Sequence, residues 1–120
     1  MRSILVIVGA LVLVYLCYRT YRVLTLDRGL ENRIATGAII LDVRTEQEFN
    51  TGHIEGAINI SLGTIRERYT ELDPSKTYIT VCSHGLRSVK AENILKERGF
   101  KYVFNGGAWT DLEKIVAKKK

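Results

Sequence analysis

The sequence predicts an α/β domain: a mainly parallel five-stranded sheet with helices on both faces, preceded by one N-terminal apolar helix. Three observations lead there. Short apolar runs alternate with amphipathic stretches from residue 22 onward. The runs are near-continuously apolar rather than alternating, as in strands covered on both faces. Residues 4–18 form a separate fifteen-residue block without a charge, bracketed by Arg2 and Arg19. At 120 residues the chain holds one modest domain with a single core.

The N-terminal block comes first. Fifteen helical residues rise about 22 Å, short of the ~30 Å hydrocarbon layer. Arg19 and Arg22 extend that reach by snorkelling, and Tyr15, Tyr18 and Tyr21 suit the membrane interface. A cleaved signal peptide needs small residues at −3 and −1 after its apolar core, and no window through Leu26 supplies such an A-x-A-like site. A lipoprotein signal needs a small residue before its cysteine, whereas Leu16 precedes Cys17. A core helix apolar all round has little to bury it at the end of so small a domain. The expectation is a single-pass transmembrane anchor in contact with lipid over residues 4–21, followed by one domain over 23–120. Arg19, Arg22, Arg28 and Arg33 follow the block while Arg2 precedes it, which places the domain on the cytoplasmic side.

Within the domain, strands are expected at Arg22–Leu26, Ala38–Asp42, Ala57–Ile60, Thr77–Val81 and Tyr102–Phe104. Asp27 can cap a first helix with Leu30 and Ile34 on one face. Thr45-Glu46-Gln47-Glu48 has the form of a capping box opening a short helix before Gly52. Ser61 can cap a segment carrying Leu62, Ile65, Tyr69 and Leu72, stopped by Asp73-Pro74. A further helix runs from about Leu86 to Arg98, with Gly99 as its left-handed stop. Trp109, Leu112, Ile115 and Val116 mark the inner face of a last helix, entered through Gly106-Gly107.

Charge and cysteines narrow the function classes. The formal charge is +5, but Arg2, Arg19 and Arg22 stand ahead of the domain, and its 15 basic residues face 13 acidic ones. The basic groups form end clusters rather than a stripe, so no nucleic-acid partner is expected. Cys17 lies in the apolar block and cannot bridge to Cys82, which excludes a disulfide framework. His53 and His84 lack neighbours at metal-ligand spacing, and no cofactor is expected.

Cys82 is the focus. It ends the run Tyr78-Ile79-Thr80-Val81 and opens Ser83-His84-Gly85-Leu86-Arg87-Ser88, after which the pattern turns helical. Backbone N–H groups at such a strand-to-helix loop favour an anion. Ligand crevices in parallel sheets lie beyond the carboxyl ends of the strands, where Cys82 falls. The plain alternative is a small buried residue closing a strand. Asp42 and Arg44 read mainly as a loop brace, His53 as a turn residue satisfied by the backbone, and Trp109 as core lining the approach.

Three ordered motifs give this pattern a family resemblance. Leu41-Asp42-Val43-Arg44, then Glu48-Phe49 and Gly52-His53-Ile54-Glu55-Gly56-Ala57-Ile58-Asn59-Ile60, form the first. The loop from Cys82 to Ser88 is the second, and Phe104-Asn105-Gly106-Gly107-Ala108-Trp109 the third. Together they make the stretch from about Val23 to Lys120 resemble a single rhodanese domain. The resemblance implies a sulfurtransferase, in which Cys82 attacks the outer sulfur of a donor such as thiosulfate. The resulting persulfide is then discharged to cyanide, a thiol or a protein acceptor. It also implies that Ser83, His84, Gly85, Leu86, Arg87 and Ser88 bind the substrate, their amides ringing the terminal sulfur. Arg87 would steer an anionic donor. His84 would either help bind substrate or contribute only its amide.

Two rivals remain. Phosphatases and arsenate reductases of related fold hold cysteine and arginine in a C-x5-R loop; here the loop is C-x4-R and Val81 precedes the cysteine. One residue fewer narrows the cradle, which suits a sulfur atom better than a tetrahedral phosphate. The second rival is a membrane-tethered binding or persulfide-relay module with little turnover, against which the presence of Cys82 argues.

Overall fold

Four of the apolar runs are strands in the computed structural model, which describes residues 1–25 and 29–118. They are β1 (Ile39–Asp42), β2 (Ile58–Asn59), β3 (Tyr78–Cys82) and β4 (Val103–Ala108), all parallel, in the order β2-β1-β3-β4. The helices are α1 (Arg2–Thr25), α2 (Leu30–Ala35), α3 (Glu46–Thr51), α4 (Ile65–Arg68), α5 (Leu86–Glu97) and α6 (Trp109–Lys118). A 3-10 turn over Tyr69–Glu71 continues α4.

Side chains alternate across a strand, so β1, β3 and β4 each feed two cores. Leu41, Val43, Tyr78, Cys82 and Val103 pack with Ile65 of α4 and Ala91, Ile94 and Leu95 of α5. Ile40, Ile79 and Val81 pack with Leu30 of α2 and Leu112 of α6 on the opposite face. Covering both faces is what permits near-continuous apolar runs, and each fully buried Leu or Ile contributes roughly 1.5–3 kcal/mol.

The expected first strand, Arg22–Leu26, is not one. Residues through Thr25 continue α1, and Leu26 lies outside the described residues. Among the described residues the sheet therefore has four strands, not five. The physical reason is pairing. A strand needs a neighbour to satisfy its N–H and C=O groups, whereas helix continuation satisfies them within the segment. No Gly or Pro between Tyr18 and Thr25 interrupts the helix.

Smaller corrections concern the helix starts. Asp27 lies outside the described residues, and the N-cap of α2 is Gly29, whose φ of 75° is left-handed, with no side-chain cap. Ser61 does not cap a helix directly. It forms a turn that receives the Thr64 amide at 3.0 Å, and α4 starts only after Thr64.

Strand β4 runs further than Tyr102–Phe104, through Gly106-Gly107 to Ala108. Gly106 makes this possible, because a Cβ there would lie 2.6 Å from Ile79 Cγ2 and 3.0 Å from Thr80 O. The register steps from Thr80↔Asn105 to Val81↔Gly107, leaving Gly106 as the extra residue of a bulge.

Helix α1 spans 24 residues, about 36 Å, and none of Arg2–Tyr21 is buried inside the fold. It is long and apolar enough to cross a membrane by length and composition.

Candidate active site

The chain leaves β1 toward β2 on one side and β3 toward β4 on the other, so its direction of progress reverses between β1 and β3. Open α/β sheets form ligand crevices at such a reversal, beyond the carboxyl ends of the strands. The segments leaving those two ends carry Arg44 and Glu48 on one side and the cysteine loop on the other.

Cys82 closes β3 and is 1% exposed. The Gly85 amide donates to its Sγ at 2.9 Å and the Ser88 amide at 3.4 Å. Gly85 has a φ of 92° and forms the N-cap of α5, so the loop curls in a way that only glycine adopts without strain. Two main-chain donors thus converge on one sulfur at a helix N-terminus, an arrangement that accepts negative charge.

Strands β3 and β4 hold the back of the loop. Ser88 Oγ lies 2.6 Å from Asn105 Oδ1 and 3.0 Å from Gly85 O; its single proton serves the shorter contact. Asn105 Oδ1 also accepts the Gly107 amide at 3.0 Å. Thr80 Oγ1 donates to Ser88 O at 2.9 Å. A Cβ on Gly85 would sit 3.6 Å from Gly107 Cα, so loop and strand meet backbone to backbone.

Glu48 holds the front. Its carboxylate receives Arg87 Nη1 at 2.7 Å and Nη2 at 3.0 Å, and the Ser83 hydroxyl at 3.0 Å. Arg87 Nη2 also donates to Ser83 Oγ at 3.1 Å. Glu48 is at the same time the third residue of α3, where its carboxylate accepts the Thr45 amide at 3.1 Å and completes the expected capping box. The Arg87 guanidinium, and after it the Thr45 amide, hold the Glu48 carboxyl well below the ordinary carboxylate range. The same contact, aided by the nearby Cys82 and Asp42, raises Arg87 further above its already high value.

The fork of Arg87, expected to face an anionic donor, therefore faces Glu48. Among the remaining loop residues, His84 and Leu86 are exposed at the rim, Ser83 is half-buried, and Gly85 and Ser88 are buried. Asp42 and Arg44 form a buried pair at 2.7 Å. Arg44 also donates to Gly52 O at 2.7 Å and lies 4.7 Å from the centroid of the Trp109 ring. This is the expected brace, tying the end of β1 to α3 and α6. His53 is exposed, with Nδ1 2.8 Å from Phe49 O and its ring stacked on that of Phe49.

Sequence reasoning missed the roles of Glu48, Asn105 and Thr80. Glu48 carried a visible signal, but as a helix cap. Asn105 lies inside the third sequence motif, and only the fold brings its side chain to Ser88.

Comparison with known proteins agrees with this geometry. The family model described as Rhodanese-like domain matches residues 26–111. The thiosulfate sulfurtransferase PspE of Escherichia coli is 36% identical over 74 residues, covering 60% of this chain and 71% of that protein. The tRNA sulfurtransferase of Thermoplasma acidophilum is 29% identical over 94 residues, covering 78% of this chain but only 18% of that longer protein. A solved structure described as rhodanese with anions from E. coli superposes with a TM-score of 0.58 at 35% identity, covering 62% of this chain and 91% of that one. A match to one family model over residues 26–111, in agreement with the sheet and the cysteine loop, settles the affiliation: the chain belongs to the rhodanese-like domain family.

Proposed function

We propose that this protein is a membrane-tethered sulfurtransferase that carries a sulfane sulfur on Cys82. The observation that carries the reading is the convergence of the Gly85 and Ser88 amides on Cys82 Sγ. Thiolate Cys82–S⁻ attacks the outer sulfur of thiosulfate; a new S–S bond forms, the donor S–S bond breaks, and sulfite leaves with the electron pair. The product Cys82–S–S⁻ keeps its charge near the loop donors, which act as an oxyanion hole acts on a tetrahedral intermediate. An acceptor thiolate or cyanide then attacks the outer sulfur and regenerates Cys82–S⁻, a two-step covalent cycle. The name of one relative, a thiosulfate sulfurtransferase, supports thiosulfate as a donor. The unburied apolar length of α1 supports the tether, and the arginines after it support a cytoplasmic domain.

Mass spectrometry of the full chain after incubation with excess thiosulfate tests the reading. One added sulfur on Cys82, removed by cyanide as thiocyanate and lost in Cys82→Ser, is the expected result. Absence of the adduct on a folded protein, or equal turnover by Cys82→Ser, overturns it.

A further inference from the structure

We propose that Glu48 is a specificity-determining residue, acting through Arg87 to disfavour doubly charged sulfur donors at Cys82. The proposal rests on the sulfurtransferase reading and deepens it. Arg87 is the loop residue suited to grip an oxyanion, because its planar fork matches two oxygens at once. That fork is occupied: Nη1 and Nη2 both donate to the Glu48 carboxylate, and Nη2 also to Ser83 Oγ. Glu48 is itself held from behind by the Thr45 amide and hydroxyl, each at 3.1 Å, so it cannot swing away without opening the cap of α3. The second guanidinium of this region, Arg44, is paired with Asp42. Each arginine thus has its own carboxylate, and the nearby charge presented to a donor is close to balanced.

The consequence is chemical. Thiosulfate brings two negative charges and three oxygens, and no unengaged guanidinium fork meets them. A thiol persulfide, R–S–SH, brings one charge or none and needs only the sulfur cradle. Its transfer balances without an oxyanion leaving group: Cys82–S⁻ attacks the outer sulfur, R–S⁻ departs, and Cys82–S–SH remains. The Glu48–Arg87 pair is about one-third exposed on each side, so its field is screened by salt but not abolished.

Glu48→Gln is the decisive variant. Glutamine keeps the oxygen that caps α3 and receives Arg87 Nη1, but removes the charge and the oxygen that receives Nη2, freeing one arm of the Arg87 fork. In the full detergent-solubilised chain, kcat/KM is measured for thiosulfate and for glutathione persulfide, both with cyanide as acceptor. The ratio of thiosulfate to persulfide efficiency should rise about tenfold in Glu48→Gln, the scale expected for one removed charge near the site, and the gain should shrink in high salt. Glu46→Gln, which removes an exposed charge from the first turn of the same helix and leaves the Glu48–Arg87 pair, should leave the ratio within about twofold of the parent. An unchanged or lowered ratio in Glu48→Gln, or the same rise in Glu46→Gln, overturns the proposal. Failure of the parent to load sulfur from either donor would instead overturn the underlying sulfurtransferase reading.

Discussion

Asn105 Oδ1 stands 2.6 Å from Ser88 Oγ, and Ser88 is one of the two residues whose amides donate to Cys82 Sγ. A buried amide on β4 therefore sets the position of a donor that faces the nucleophile. The same oxygen accepts the Gly107 amide across the bulge. Asn105→Ala would leave the buried Gly107 N–H without that acceptor, while the Ser88 hydroxyl turns to Gly85 O, at a cost of about 1–3 kcal/mol. Urea unfolding should show this loss. Sulfur loading of Cys82, measured where the variant is still folded, should also slow. A variant that loses stability but loads sulfur at the parental rate would make Asn105 a core residue only.

The Asp42–Arg44 pair gives a prediction of different sign in combination. Both side chains are almost fully buried, and Arg44 also serves Gly52 O. Arg44→Met leaves the Asp42 carboxylate buried without its cation, which is expected to cost about 3–5 kcal/mol. Asp42→Asn combined with Arg44→Met removes the orphaned charge as well. The double variant should therefore be more stable in urea than Arg44→Met alone. If the two losses simply add, the pair is not a coupled unit.

These residues also show what was legible in the sequence. The capping box of Thr45 and Glu48 spans four positions and could be read directly, as could the loop from Cys82 to Ser88. The second role of Glu48 joins residues 39 positions apart, and no local pattern encodes which cation will meet it. Strand Arg22–Leu26 failed for the reciprocal reason. Its composition suits a strand, yet a strand exists only where a neighbour offers a free edge, and α1 offered the backbone a nearer partner. The strand expected at Tyr102–Phe104 extends to Ala108 because Gly106, whose composition suits a turn, lets the chain approach Ile79 closely.

Helix α1 yields a partition test. Leu11 is 65% exposed and sits mid-helix, where it would face lipid. The full chain should remain with membranes through a high-salt wash. Leu11→Asp should weaken that retention, since an acidic residue near a spanning centre costs about 2.5–3.5 kcal/mol. Release of the parent chain by salt alone would mean that the helix lies on the surface or binds peripherally.

The last prediction concerns acid. Arg87, then Thr45, hold the Glu48 carboxyl well below its ordinary value of 4.5, so the unfolded chain binds a proton there more readily than the folded one. A group depressed in this way contributes stability that is fully present above the unfolded value and is lost as pH falls through the folded one. The Tm gap between parent and Glu48→Gln should thus be flat from neutral pH down to about 5, then narrow at each step below it. Because the pair is partly exposed, the whole effect should stay near or below about 1 kcal/mol, and added salt should reduce it. A gap that is constant from pH 7 to pH 3 would show that the carboxylate charge contributes nothing to the clamp. In that case its hydrogen bonds alone would hold the loop, and the electrostatic basis for donor selection by Glu48 would fall with it.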